Sequence, residues 1–221
     1  MIYIKSDKEI ELMRKPCQIV RDVLRLCEDK IKAGMTTKEL DKIAYDYITS
    51  CGAKPSFLGY GGFPAATCIS IDEQVVHGFP SDRIIEEDQI VSVDVGAYFN
   101  GFHGDAARSL YVGHISPEKK KLIDVTRECF FEGIKGICIG SALGDIGAQV
   151  QEHAEKNGFS VVRDMVGHGV GRNLHEDPSV PNYGRRGVGV RLQRNMIKSV
   201  NFLTLKEDAE SDAGKGRKAQ K

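Results

Sequence analysis

The sequence has no net charge, no long apolar run and no closely spaced cysteine pair. Its 31 basic residues balance 31 acidic ones, so no overall electrostatic field draws the chain to nucleic acid. No apolar stretch approaches the length of a membrane span. The N-terminus, MIYIKSDKEIELMRK, has charges where a signal peptide needs an apolar core. We therefore expect a cytoplasmic protein that binds neither nucleic acid nor membrane.

The six cysteines are scattered, without a Cys-x-x-Cys pair or a zinc-ribbon spacing. In a chain without a secretion signal they are expected to be reduced thiols that pack as small apolar groups. With 221 residues, 41% of them apolar and 28% charged, the chain fits one well-packed globular domain.

Capping signals and hydrophobic periodicity predict an α+β protein. Ser6 with Glu9, and Thr36 with Glu39, form capping boxes ahead of amphipathic segments. Glycine is expected to end the first helix at Gly34. The predicted elements are helices that begin after Ser6, after Thr36 and at Ser116-Pro117, a helix over about Gly144–Asn157, and strands over Thr67–Ile71, Val75–His77, Val161–Val166, Val188–Leu192 and Met196–Phe202.

The two halves of the sequence resemble each other. Residues 34–52 and 140–158 each contain a glycine, a helix pattern and a closing glycine at the same spacing. EEDQIVSVDV and QRNMIKSVNF follow at almost the same offset, which aligns Asp94 with Asn201. We predict a single catalytic-type domain over residues 1–202 with half-repeats of about 34–113 and 140–202. Residues 203–221 are charged and aperiodic, so we expect a disordered tail.

A predicted hairpin contains two aspartates. Asn100-Gly101 favours a two-residue turn, which places position 94 opposite 107 and position 105 opposite 96. Asp94 and Asp105 then share a face as diagonal neighbours. Carboxylates that close repel unless one is protonated or a cation lies between them, which indicates a divalent metal. The alternative is that one aspartate belongs to a turn or an exposed edge.

Three histidines lie in loops rich in glycine and proline. His168 stands in a Gly-x-Gly-x-Gly setting that would allow a close backbone approach to a ligand, and His175 follows it. His77 repeats the pattern in the first half, and imidazole beside carboxylates suits metal binding. The alternatives are structural histidines and a phosphate-binding loop, although the Gly-Lys-Ser/Thr of such loops is absent. We interpret His103, His114 and His153 as structural or solvent-facing.

The order VVHG, VDVGAYFNGFHGDAARS, GHGVGRNLHEDPSVPNYG closely resembles the type I methionine aminopeptidases, over about Ile4 to Leu192. This resemblance implies the pita-bread fold, in which two halves related by a pseudo-twofold axis combine an antiparallel sheet with flanking helices. It also implies removal of the initiator methionine from nascent proteins whose second residue is small. The expected partners are N-terminal Met-peptides, and we expect a monomer.

The resemblance assigns roles to the residues singled out above. Asp94 would bind one divalent metal ion, Asp105 would bridge two, and His168 would be a further ligand. The family uses two metal ions per chain, whereas the three ligands that remain here would hold one ion or none, and the sequence does not distinguish Co, Mn, Fe and Zn. His77 and His175 would be the catalytic, substrate-contacting histidines that steady the scissile amide and the oxyanion. The methionine pocket would be lined by Tyr60, Phe63, Cys68 and Leu174.

The sequence departs from this family after the glycine–histidine loop. The family has two further glutamates, but Asn201-Phe202 stands where Glu-Pro would fall and no counterpart of the second follows. We therefore expect an incomplete second half of the fold. The alternative function is a catalytically inactive module that binds peptides or a partner such as the ribosome. A proline-specific aminopeptidase is a third possibility, although those relatives usually carry an extra N-terminal domain.

Overall fold

The computed structural model describes residues 1–199 and 204–206. Its helices are α1 (Asp7–Lys30), α2 (Thr37–Ser50), α3 (Pro117–Ile134) and α4 (Leu143–Lys156), with a 3-10 turn over Tyr60–Gly62. Its strands are β1 (Lys54–Pro55), β2 (Thr67–Ile71), β3 (Ile90–Phe99), β4 (Phe102–Tyr111), β5 (Phe159–Val161), β6 (Gly167–Gly169), β7 (Glu176–Val180), β8 (Lys198–Ser199) and β9 (Thr204–Lys206). Within these described residues, no helix has the length and apolar character to span a membrane.

Both predicted capping boxes are present. The Ser6 hydroxyl accepts a hydrogen bond from the Glu9 backbone N–H, and the Glu9 carboxylate accepts one from the Ser6 N–H. Thr36 and Glu39 make the same reciprocal pair at the start of α2. The first helix ends at Lys30, earlier than the predicted stop, because the chain is already extended at its C-cap, Ile31.

The first compact unit comprises Met1–Lys120, His168–Ser179 and Arg194–Ser199. In its sheet β1, β2 and β4 each pair antiparallel with β3, and β3 and β4 form a hairpin. Alternate residues of β3, namely Val91, Val93 and Val95, are fully buried in one core cluster with residues of α1 and α2. Because side chains alternate along a strand, Asp94 points to the face opposite that core.

Helix α1 lies directly on β4 at Gly104. A Cβ at this position would stand 2.6 Å from the Cys17 nitrogen and 2.6 Å from the Pro16 carbonyl carbon. We expect Gly104→Ala to lower the free energy of unfolding by about 1–3 kcal/mol, because backbone atoms cannot yield as a flexible side chain can. Urea unfolding checks this, with exposed Ala107→Ser on the same strand as the control, and equal midpoints for the two variants would refute the close packing.

The second compact unit contains Lys121–Gly167 and Val180–Gln193 together with the described residues 204–206. Its core packs α4 against α3 and β5 through buried residues that include Cys129, Val150 and Phe159. Helix α4 has the same 14-residue length as α2. Positive-φ glycines precede and follow both helices: Gly34 and Gly52 in the first unit, Gly140 and Gly158 in the second. The half-repeat boundaries and the single domain nevertheless stay predictions.

Several predicted strands differ from the structure. Residues 75–77 form no strand, because the chain turns there and His77 takes a left-handed backbone. Near Val188–Leu192 the structure shows an isolated bridge from Arg191 to Ala142. The predicted disordered tail is wrong at Thr204–Lys206, where backbone hydrogen bonding to Phe159–Val161 makes an antiparallel strand. Asn201 and the rest of the predicted tail lie outside the described residues.

Candidate metal centre

The β3–β4 hairpin has the register that the sequence predicts. Asp94 pairs with Ala107, and Asp105 pairs with Gly96. The turn is made by Asn100 and Gly101, whose φ angles of 49° and 86° fit the two-residue turn that this dipeptide favours. The two aspartates therefore stand on one face of the sheet as diagonal neighbours.

The carboxylate of Asp94 is in an unfavourable environment for a charge. Its Oδ1 atom is buried and has no hydrogen-bond partner among the described residues. Burial, and then the charge of Asp105, raise the pKa of Asp94 well above its ordinary value, and a hydrogen bond from the Val95 backbone only partly offsets this. Cys68, which pairs with Asp94 across β2 and β3, has its thiol pKa raised to about 12, first by burial and then by Asp94.

His168 completes a group of three donors. Its Nδ1 lies 2.8 Å from the Gly169 carbonyl oxygen, which can only accept, so Nδ1 carries the proton. The neutral ring then has its lone pair on Nε2, which lies 3.5 Å from Asp105 Oδ2. Both side chains are largely buried, at 15% and 5% exposure. A lone pair that faces a buried carboxylate favours a cation between them.

These donors fit a divalent metal ion by their chemistry. Carboxylate oxygen with imidazole nitrogen is a common donor set for first-row divalent ions. The Gly169 carbonyl orients the His168 ring in the way that outer-shell hydrogen bonds orient metal-binding histidines. Within residues 1–199 and 204–206, no three His, Cys, Asp or Glu side chains already meet the spacing of a complete metal cage.

His175 lies beside this group. Its ring centroid is 4.2 Å from that of His168, and its Nδ1 is hydrogen-bonded to the Tyr60 hydroxyl at 2.9 Å. Burial lowers the pKa of His175, and the neighbouring His168, His77 and His103 lower it further. The ring is therefore neutral near neutral pH.

The loop that carries His77 is held against β2. His77 itself has a φ of 60°, a conformation that is uncommon and costly for a residue with a side chain. Gly78 donates its N–H to the Ser70 hydroxyl and accepts from the Ile69 N–H. A Cβ at Gly78 would stand 2.1 Å from the Ile69 carbonyl oxygen, so this approach requires glycine.

The four predicted pocket residues have different surroundings. Tyr60 contacts His175, and Cys68 lies opposite Asp94. Leu174 is buried, with 3% exposure, next to His175 in the chain. Phe63 contacts Phe79, with ring centroids 5.2 Å apart and the rings tilted by 37°. The methionine pocket stays a prediction.

The glycines around His168 serve packing inside the protein. A Cβ at Gly169 would meet the carbonyl oxygens of Asp177 and Glu176 at 2.6 and 2.7 Å. A Cβ at Gly171 would meet Lys5 Cε at 2.5 Å. Packing inside the protein therefore accounts for glycine at these two positions, and the close approach to a ligand stays a prediction.

Sequence reasoning missed two buried contacts near these histidines. His103 Nδ1 is hydrogen-bonded to the Ser56 hydroxyl at 2.9 Å, and burial lowers the pKa of His103. Lys5 forms an ion pair with Glu176, the residue after His175. The first could be suspected, because His103 is only two residues from Asp105, but no local pattern links Lys5 to Glu176.

Comparison with known proteins finds relatives among the metallopeptidases. The model of metallopeptidase family M24 matches residues 11–216. The methionine aminopeptidases of Clostridium perfringens and Clostridium acetobutylicum are 50% and 51% identical to the chain, over 90% of it and 80% of their own lengths. The crystal structure of methionine aminopeptidase from Rickettsia prowazekii superposes with a TM-score of 0.89 at 36% identity, covering 95% of this chain and 91% of that one.

Proposed function

The chain belongs to the methionine aminopeptidases of metallopeptidase family M24, and on this premise we propose that Asp94, Asp105 and His168 hold its divalent metal. The protein is a metal-dependent peptidase that removes the N-terminal methionine. Its fold is the α+β pita-bread fold of that family. The incomplete second half stays a prediction, since Asn201 lies outside the described residues.

One observation carries the metal assignment. The buried Oδ1 of Asp94 has no hydrogen-bond partner in the described structure, and Asp105 lies on the same face of the hairpin. Burying such a charge is costly without a counter-ion. The Nε2 lone pair of His168 faces the Asp105 carboxylate, so a cation held between them and Asp94 would offset the cost of burying both charges. A bound divalent ion would supply Lewis acidity and lower the pKa of a water near the scissile bond.

His175 is proposed to stabilise the oxyanion. If the Tyr60 hydroxyl donates to Nδ1, the neutral ring carries its proton on Nε2. That N–H can donate to the oxygen on which negative charge develops as the peptide carbonyl becomes tetrahedral. The depressed pKa of His175 favours this neutral donor. His77, held in place by Gly78, is proposed to contact the scissile amide.

The methionine side chain is proposed to bind against Tyr60, Phe63, Cys68 and Leu174. Aromatic rings and a buried thiol suit a polarizable thioether. As the resemblance to the methionine aminopeptidases implies, we expect a small residue to be preferred at the second position of the substrate, as in nascent proteins whose initiator methionine is removed in the cytoplasm.

Peptide cleavage after metal removal tests this function. The protein is treated with a chelator, dialysed, and assayed on Met-Ala-Ser, Met-Phe-Ser and Leu-Ala-Ser with Mn²⁺, Co²⁺, Fe²⁺ or Zn²⁺ added. We expect methionine release from Met-Ala-Ser, much slower release from Met-Phe-Ser, and no release of leucine. Restoration by at least one metal is expected. No cleavage with any of them would favour the inactive peptide-binding module.

A further inference from the structure

His175 is presented by a short turn, residues 171–176, whose start is well anchored. Val170, just before the turn, packs in a buried cluster with Met13 and Phe102. The His103 backbone N–H donates to the Gly171 carbonyl at 2.8 Å, which ties the turn to β4. His175 lies at the other end of the turn, so these contacts alone do not fix its ring.

The end of the turn is anchored by a buried ion pair. Lys5 Nζ pairs with Glu176 Oε2, and the two side chains are only 5% and 4% exposed. These residues are 171 positions apart in the chain. The other oxygen, Glu176 Oε1, accepts a hydrogen bond from the Asn173 N–H at 3.1 Å. Glu176 therefore closes the turn on itself and joins it to the N-terminal segment.

Lys5 is itself held in one position. Its backbone N–H donates to the Asn195 carbonyl at 3.1 Å, and its ammonium also donates to the Tyr3 carbonyl at 3.2 Å. Its side chain crosses so close to Gly171 that a Cβ there would lie 2.7 Å from Nζ. The ammonium is thus fixed between the N-terminal segment and the turn.

We propose that Lys5 is a positioning residue for His175. By holding Glu176, the neighbour of His175 in the chain, its ammonium sets the direction in which the imidazole faces Tyr60 and His168. Without Lys5, Glu176 would keep a buried charge without its counter-ion and would move toward water. Such a movement would carry His175 with it. The inference rests on the proposed role of His175 at the oxyanion.

A spectroscopic experiment tests the positioning without any catalysis. Protein labelled with ¹³C at the histidine Cε1 is compared as wild type, Lys5→Met and Lys119→Met, with His175 assigned through His175→Ala. The control Lys119 forms ion pairs with Asp72 and Asp88 in the same unit. We expect Lys5→Met to shift the His175 resonance, whose frequency depends on the Tyr60 and His168 rings, and to leave His114 unchanged. An unchanged His175 resonance would overturn the proposal.

A double-mutant cycle tests the consequence for catalysis. We expect Lys5→Met to lower kcat about tenfold with little change in KM, since small displacements of a catalytic group are costly. In the His175→Ala background the same change should lower kcat less than about twofold, because a group that acts through His175 has nothing left to position. An equal tenfold loss in both backgrounds would show a general structural role and overturn the proposal.

A second variant covers the case in which Lys5→Met fails to fold. Lys5→Met combined with Glu176→Gln buries no unpaired charge, and the glutamine oxygen can still accept from the Asn173 N–H. This variant should fold and should still have a lowered kcat, because the ion pair that joins the turn to the N-terminal segment is absent. Wild-type kcat in the double variant would overturn the positioning role. An inactive wild type would instead refute the proposed function. The histidine resonances would still test whether Lys5 positions the His175 ring.

Discussion

Replacing Asp94 by asparagine is expected to lower the rate of methionine release on the order of 10³-fold, the largest effect that the account predicts. Asparagine is similar in size but neutral, so it is a poor ligand for a divalent cation. The loss should appear in kcat/KM at every metal concentration that saturates the wild type. Steady-state hydrolysis of Met-Ala-Ser measures it.

The same substitution is expected not to destabilise the metal-free protein. The pKa of Asp94 is raised in the folded state, so its ionisation opposes folding. The protonated carboxyl of Asp94 contributes to the free energy of unfolding. This contribution is complete at pH values below the unfolded pKa of 3.8 and is lost as the pH rises through the folded pKa. The neutral asparagine side chain has no such loss, and at neutral pH the metal-free Asp94→Asn protein should unfold at the same urea concentration as the wild type or a higher one.

Asp41→Asn is the matched control for Asp94→Asn. Asp41 is another aspartate whose pKa is raised by burial, but its Oδ1 accepts hydrogen bonds from the backbone N–H and hydroxyl of Thr67. Asparagine can still accept both. The Asp41→Asn variant should therefore keep methionine release and the rise in unfolding temperature that metal produces, whereas Asp94→Asn should lose both. Equal behaviour of the two variants would contradict the metal assignment.

Replacing His175 by alanine is the second change with a large expected effect. Removing one donor to a developing oxyanion typically lowers kcat about 10²–10³-fold. Because the proposed hydrogen bond strengthens only as charge develops, KM should change little. Initial rates over a range of Met-Ala-Ser concentrations separate kcat from KM.

Exposed His114 provides the comparison for His175. Its side chain is exposed in the structure and lies outside the group around Asp94 and Asp105. His114→Ala should keep kcat and KM within about twofold of the wild type, as expected for an exposed position. A rise in KM with unchanged kcat in His175→Ala would assign His175 to substrate binding alone and refute its role at the oxyanion.

The hairpin shows how much of the site local sequence can determine. Asn100-Gly101 is a strong two-residue turn signal, and once it fixes the turn, the pairing of Asp94 with Ala107 follows by counting. The placement of both aspartates on one face is therefore a consequence of one dipeptide and the period of a strand. The first two helices are likewise predictable, because their capping boxes act within four residues.

Contacts between distant parts of the chain were not predictable in this way. Nothing around Lys5 distinguishes it from a solvated lysine, and its role emerges only when the fold brings Glu176 to it. The internal neighbours of the glycines at 169 and 171 were not predictable for the same reason, since glycine permits close approach without specifying what approaches. His77 was predicted in a strand because its apolar neighbours suggested one, although its left-handed backbone excludes a strand there.

Calorimetric titration of Mn²⁺ into chelator-treated protein tests the central claim most directly. The account predicts saturable binding of at least one ion to the wild type, and the loss of that binding in Asp94→Asn and in His168→Ala, with Asp41→Asn unchanged. Absence of binding to the wild type, or equal binding to wild type and Asp94→Asn, would contradict the claim that the paired aspartates of the hairpin form the metal centre.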